Sequence, residues 1–305
     1  MKGLKMREIS EMKVDEINLK DLYHIFLKEK WRIIIIGTFI FIGSLIYSLS
    51  IPNIYRSDVL LAPNGDEHST GVSSKFSGLA AMAGVNVGSD SVNRSVVAIE
   101  ILKSRKFLVR FINENDLKVA LFASKEWDKK SRELVIDENV YNEKTHDWVS
   151  EPPSDIEAFK YFFNDVLTIQ ENKENGFYTI SINFISPDLS KKWLELLVKT
   201  LNDTMKEREI IDSEKNIEYL TEQLNKTSIA EMQSTFFELI GEQTKKLMLA
   251  ESKSEFAFST IDPPFIPENK IKPSRVLIIA MITLLGLFIY IALVILFYKN
   301  NSQVS

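Results

Sequence analysis

Two stretches of the chain contain no charged residue. Positions 33–51 hold twelve Ile, Leu or Phe among nineteen residues, and 276–298 run for twenty-three. As a helix the second is roughly 34 Å long, slightly more than a ~30 Å hydrocarbon core. Two apolar runs of this length and purity predict membrane spans rather than buried core helices. The first starts 32 residues in and no small-x-small cleavage site follows it, so it reads as an uncleaved signal anchor. The plan is then a head (1–32), a span (33–51), a middle (52–275), a span (276–298) and a tail (299–305), with both termini on one side.

Between the spans the pattern changes to a helical period. From Pro187 to Glu255 there is no further Pro and only one Gly, Gly241. Pro187-Asp188-Leu189-Ser190 suits a first turn, with Pro at the first helical position and an acid at the positive end of the dipole. Strand-like runs flank this stretch at 177–185 and 255–262, and it must fold back on itself if they share a sheet. The turn is placed at Asn225-Lys226-Thr227-Ser228, with Ser228 to Glu231 as a capping box for the second arm; a break near Gly241 is the competing position. Leu194, Leu197 and Leu201 form one seam low on the rising arm, and Ile217, Leu220 and Leu224 another near the tip. The falling arm carries Ile229, Met232, Phe236, Leu239, Ile240 and Leu247. Seven of the eleven residues from Lys206 to Asn216 are charged, which predicts water or another subunit as their partner.

The remaining pattern describes an α/β base. Tyr55–Leu61 is a strand. Val96, Val97, Ile99, Ile101 and Leu102 sketch a helix, and Ser104 caps the next, which carries Phe107, Leu108, Phe111 and Ile112. Ser154 to Glu157 is a capping box opening a helix with Phe159, Phe162, Phe163 and Val166 on one side. Strands at 167–170 and 177–184 join at Asn175-Gly176, and the second buries Tyr178, Ile180, Ile182 and Phe184 on one face. The charged stretch 124–150 is weakly patterned, with Trp127 and Trp148 pinning it to the base. Residues 63–91 hold five of the eleven Gly; within them Phe76 to Gly88 reads either as a flexible loop or as a short packed element of small residues. The predicted class is α+β: a base with a small mixed sheet (52–186 and 255–275), a long helical hairpin of coiled-coil type (187–254) and two flanking transmembrane helices.

Charge and chemistry narrow the function. The head is net +2, the tail +1 and the whole chain −5, so the middle is −8. An acidic middle argues against nucleic acid. The basic head beside the first span, with Trp31 as an interface anchor, places the middle outside the cytoplasm. Without cysteine there are no disulfides or thiolate metal sites. His24, His68 and His146 stand alone, and no phosphate-binding loop, zinc-helix or nucleophile-elbow motif occurs. No catalytic, cofactor or metal residues are assigned, and an enzyme is not expected. The charged residues singled out are of two kinds. Lys206, Glu207, Arg208, Glu209, Asp212, Glu214 and Lys215 are candidates for an oligomer or partner surface. Arg94, Lys103, Arg105, Lys106 and Arg110 form the most basic part of the middle and are candidate glycan or partner contacts; a solvated helix face is the plain alternative.

The order of parts resembles the Wzz chain-length determinants, the polysaccharide co-polymerases of Gram-negative inner membranes. The resemblance is carried by Ile17-Asn18-Leu19 to Lys30-Trp31, Phe76 to Gly88, Ile101 to Phe107, Pro153 to Phe159, Ser186-Pro187 and Leu247 to Ala250. It continues through Phe256-Ala257-Phe258 and the Pro-rich lead into the second span, Asp262, Pro263, Pro264, Pro267 and Pro273. Pro264 stands where members usually have Ala. The resemblance implies a periplasmic base, both termini in the cytoplasm and a ring-like homo-oligomer in contact with inner-membrane lipids. It implies that the chain sets how many repeat units a Wzy-type polymerase adds to lipid-linked O-antigen destined for lipopolysaccharide. Length control of another Wzy-dependent glycan, enterobacterial common antigen or an exopolysaccharide, fits the same residues. The Walker motif of the related tyrosine-kinase branch is absent. A two-span sensor would need an output module that head and tail are too short to supply, and an efflux adaptor would need more strands.

Overall fold

The structure, a computed structural model, describes residues 19–64 and 90–302. The run Phe76 to Gly88, His68, and the start of the head with Ile17-Asn18 lie outside the described residues. The chain divides into two units, Met1–Ile51 with Pro273–Ser305, and Pro52–Lys272.

The first unit is a pair of helices, α1 (Leu19–Ser50) and, last in the chain, α8 (Arg275–Ser302). Each contains a 22-residue stretch long and apolar enough to cross a membrane, Glu29–Ser50 and Arg275–Leu296, and little of either is buried within the protein. A soluble core helix would be buried, so lipid is the solvent these surfaces suit. Small residues set the contact. A Cβ on Gly286 would stand 2.9 Å from Ile40, and one on Gly37 would stand 3.2 Å from Leu287. Arg275 donates to the carbonyls of Ser48 (3.2 Å) and Ile51 (3.4 Å), acceptors that the end of α1 leaves open.

The second unit is built on an antiparallel sheet in the order β6-β7-β1-β8, with β1 (Tyr55–Pro63), β6 (Leu167–Asn172), β7 (Phe177–Phe184) and β8 (Phe258–Asp262). Every pairing is antiparallel, where the sequence suggests a mixed sheet. The two strand-like runs flanking the hairpin do share it, one on each side of β1. Val59 and Leu61 of β1 and Tyr178, Ile180, Ile182 and Phe184 of β7 are buried, as alternation requires. Gly176, at φ +71°, supplies the left-handed residue of the β6–β7 turn.

Helices close over this sheet: α2 (Asp90–Lys103), α3 (Arg105–Glu114), α4 (Leu117–Ala123) and α5 (Asp155–Tyr161). Ser104 accepts the amide of Phe107 at 3.3 Å, and Phe107, Leu108, Phe111 and Ile112 are buried. Ser154 and Glu157 form the capping box. A π-helical turn at Phe162–Val166 follows α5 and changes its face: Phe162 and Val166 are buried, but Phe163 is turned outward and stacks on Phe159 at 5.7 Å. The stretch 124–150 forms two small hairpins, β2 (Ser124–Asp128) with β3 (Glu133–Ile136) and β4 (Tyr141–Asn142) with β5 (Asp147–Trp148). Trp127 meets Tyr55 of the sheet edge-on at 5.7 Å. Trp148 instead pairs with Tyr141 inside its own hairpin at 5.3 Å, so its ring contact is local rather than with the base.

The hairpin consists of α6 (Pro187–Lys226) and α7 (Ala230–Ser252). Ser186 caps α6 by accepting the amide of Leu189. Trp193, Leu194, Leu197, Val198, Leu201 and Met205 bury its lower half against the base; at roughly 1.5–3 kcal/mol per fully buried side chain this is the main anchor. The link is Thr227-Ser228-Ile229, and Gly241 lies inside α7. Ser228 does not cap the second arm: Ile229 takes the cap position with no side-chain bond. Three linking residues leave Ser228 one position too early, and Gln233 donates back to the Thr227 carbonyl at 3.0 Å instead.

Candidate functional surface of the hairpin

The charged stretch of α6 is two-sided. Lys206 extends its ammonium to the carbonyls of Glu251 (2.9 Å) and Lys253 (3.3 Å), at the negative end of α7. Ile210 packs on the core and Ser213 is buried. Asn216 donates to Gln243 across the hairpin at 3.4 Å. This corrects the expectation that water or a neighbouring subunit partners the whole stretch; one side is committed inside the chain. Glu207, Arg208, Asp212, Glu214 and Lys215 remain exposed, and Glu209 is half-buried. Arg208 and Asp212 form an i,i+4 pair at 3.7 Å, worth a few tenths of a kcal/mol at such an exposed site.

On α7 the apolar stripe divides. Phe236, Ile240 and Leu247 are half-buried, in step with Gln233, Gln243 and the buried Ala250, giving alternating steps of three and four residues. Ile229, Met232 and Leu239 are exposed, together with Phe237 and Met248. The residues turned inward include two glutamines, which a search for apolar residues passes over.

The basic candidates do not form one patch. Arg94 of α2 lies with its guanidinium carbon 4.7 Å from the ring centre of the buried Phe256, a cation–π geometry. It lines an open cleft of about 240 Å³ with Val97, Met205, Arg208, Glu209, Asp212 and Lys246. Residues of both candidate sets thus meet where α2, α6 and α7 converge. Three cations and two carboxylates face that space, a mixed-charge surface suited to a polar ligand or a complementary protein face. Lys103, Arg105, Lys106 and Arg110 do not line it. Lys103 pairs with Glu100 at 3.0 Å, Arg105 and Lys106 are exposed, and Arg110 donates to Thr204 of α6 at 2.9 Å. Among the described residues, no group of three or more His, Cys, Asp or Glu could hold a metal ion.

The Pro-rich lead is fixed by its backbone. Asp262 ends β8 opposite Leu60, Pro264 and Pro267 are buried, Pro263 is exposed and Pro273 is half-buried. Ser57 donates to the Phe265 carbonyl at 2.8 Å. One positioning residue escaped the sequence reading. Asn202 is buried; its carbonyl oxygen accepts the amides of Ala257 (2.8 Å) and Phe258 (3.0 Å), and its amide donates to the Phe258 carbonyl (3.2 Å). This side chain ties the returning chain to the rising helix. The signal was present as a polar residue beside Leu201 in an apolar seam.

Among solved structures the chain is similar to a full-length bacterial polysaccharide co-polymerase, at 13% identity and a TM-score of 0.39, covering 94% of this chain and 98% of that one. It is also similar to a fragment of WzzB, a polysaccharide co-polymerase from Salmonella Typhimurium, at 12% identity and a TM-score of 0.29, covering 72% and 100%. No curated protein matches the chain. The family resemblance therefore stands on sequence: residues 15–115 match the Wzz model, described as chain length determinant protein. The match covers about a third of the chain.

Proposed function

We propose that the chain is a non-catalytic regulator of glycan chain length in the bacterial inner membrane, acting on O-antigen. In this reading both termini are cytoplasmic, Pro52–Lys272 is periplasmic, and copies of the chain assemble into a ring. That ring works beside a Wzy-type polymerase on lipid-linked glycan. The match of residues 15–115 to the chain length determinant family carries the reading. Two membrane-length helices support it. The hairpin adds the means of assembly: exposed Tyr219, Phe237 and Met248 beside exposed charges make a surface suited to a second copy.

Charge reversal tests this. Glu207→Lys with Glu214→Lys changes two exposed side chains and leaves Lys206 and Ser213 unaltered. The expected outcome is an altered oligomer size by light scattering in detergent, together with a changed lipopolysaccharide banding pattern. If both stay as in the parent chain, this surface does not mediate assembly.

A further inference from the structure

The connector between β8 and the second span presents large apolar side chains in an unusual setting. Phe265 is 53% exposed, Ile266 43% and Ile271 39%. They line one groove with Arg56, Asp58, Pro267, Glu268 and Asn269. Their exposure is built in: the buried Pro264 and Pro267 fix φ on either side, and the Ser57 bond holds the Phe265 carbonyl, so Phe265 and Ile266 stay outside the base.

Chain length limits where this groove can be. Ile271 donates its amide to the Ile54 carbonyl at 2.8 Å. Ile271 precedes Arg275 by four residues and Ile54 follows Ile51 by three. At a maximum of about 3.6 Å per residue these tethers reach roughly 14 Å and 11 Å. The limit is covalent and holds for any arrangement of the two units. Lys270 and Lys272 flank Ile271 in the sequence as cations, with Glu268 as the one acid in 265–272.

We propose that this connector is a lipid-contacting surface, with Phe265, Ile266 and Ile271 at the boundary of headgroups and acyl chains and Lys272 toward lipid phosphates. Apolar anchors flanked by Lys or Arg are the chemistry that binds a bilayer interface. The occupant is lipid rather than a protein partner because a membrane lies within reach of the tethers on both sides. The inference rests on the two-span reading.

The absence of cysteine makes the test direct. Single-cysteine variants Phe265→Cys, Ile266→Cys, Glu143→Cys and Leu285→Cys of the full chain are spin-labelled in phosphatidylethanolamine–phosphatidylglycerol vesicles; Glu143 is an exposed residue between β4 and β5. Their collisions with oxygen and with a water-soluble nickel chelate are then compared. Labels at 265 and 266 are expected to favour oxygen, as at 285, while that at 143 favours nickel. Nickel access at both 265 and 266 equal to that at 143 overturns the proposal, and shielding from both reagents overturns it in favour of a protein partner. Should Phe265→Cys fail to fold, Ile266→Cys decides alone. Nickel access at 285 would instead overturn the two-span reading.

Discussion

Asn202 shows how much one side chain can hold in this fold. Replacing it by Leu keeps the branched side chain of four heavy atoms but leaves the amides of Ala257 and Phe258 buried without acceptors. Each orphaned group costs about 1–3 kcal/mol, so Asn202→Leu is expected to lower unfolding stability by roughly 3 kcal/mol in a denaturant titration; an unchanged midpoint would refute its role. Carboxylates at the surface set a pH limit. Asp155 is held below the ordinary carboxylate range by its bond from Lys118 at 2.7 Å and then by Asn113. Glu157 is lowered by the Ser154 amide and hydroxyl, and backbone amides and neighbouring side chains lower Asp128 and Asp137 likewise. A group with a depressed folded pKa stabilises fully above its unfolded value, near 4, and the stabilisation is lost as pH falls through the folded value. Thermal midpoints should therefore hold from neutral pH to about 4 and drop below it, less steeply in Lys118→Met. The local caps at Ser104 and Ser154 were legible in the sequence because donor and acceptor lie three residues apart. Asn202 was not, since its partners lie more than fifty residues away and only the fold brings them together.

At the scale of elements, the hairpin was legible as two helices joined near residue 226, with α6 seated on the base through Leu194, Leu197 and Leu201. What the periodicity could not tell was which charged residues face inward. Lys206 reads as a surface cation, yet it satisfies the C-terminal carbonyls of α7. Polar seam residues such as Ser213, Gln233 and Gln243 leave no apolar trace. The π-helical turn at Phe162–Val166 shifted a face that a 3.6-residue period had assigned. Ser213→Glu places an uncompensated carboxylate in a buried position. It is expected to loosen the upper hairpin, seen as faster amide exchange in 206–250 with the base unchanged; uniform exchange would mean that the arms do not depend on this seam.

For the whole molecule, two helices of membrane-spanning length could be read directly from the charge-free runs, and the resemblance to the Wzz family, matched over residues 15–115, was legible from the order of its motifs along the chain. The candidate surface was only half legible. Arg94 and the Arg208–Asp212 segment come from stretches more than a hundred residues apart and meet only in the cleft where α2, α6 and α7 converge. The proposed control of glycan length is put to the test by the lipopolysaccharide ladder of a strain lacking this chain, with and without a plasmid copy. Loss of a modal cluster of band lengths, restored by the plasmid, is the predicted result. A ladder with the same modal cluster in both strains would contradict control of O-antigen length.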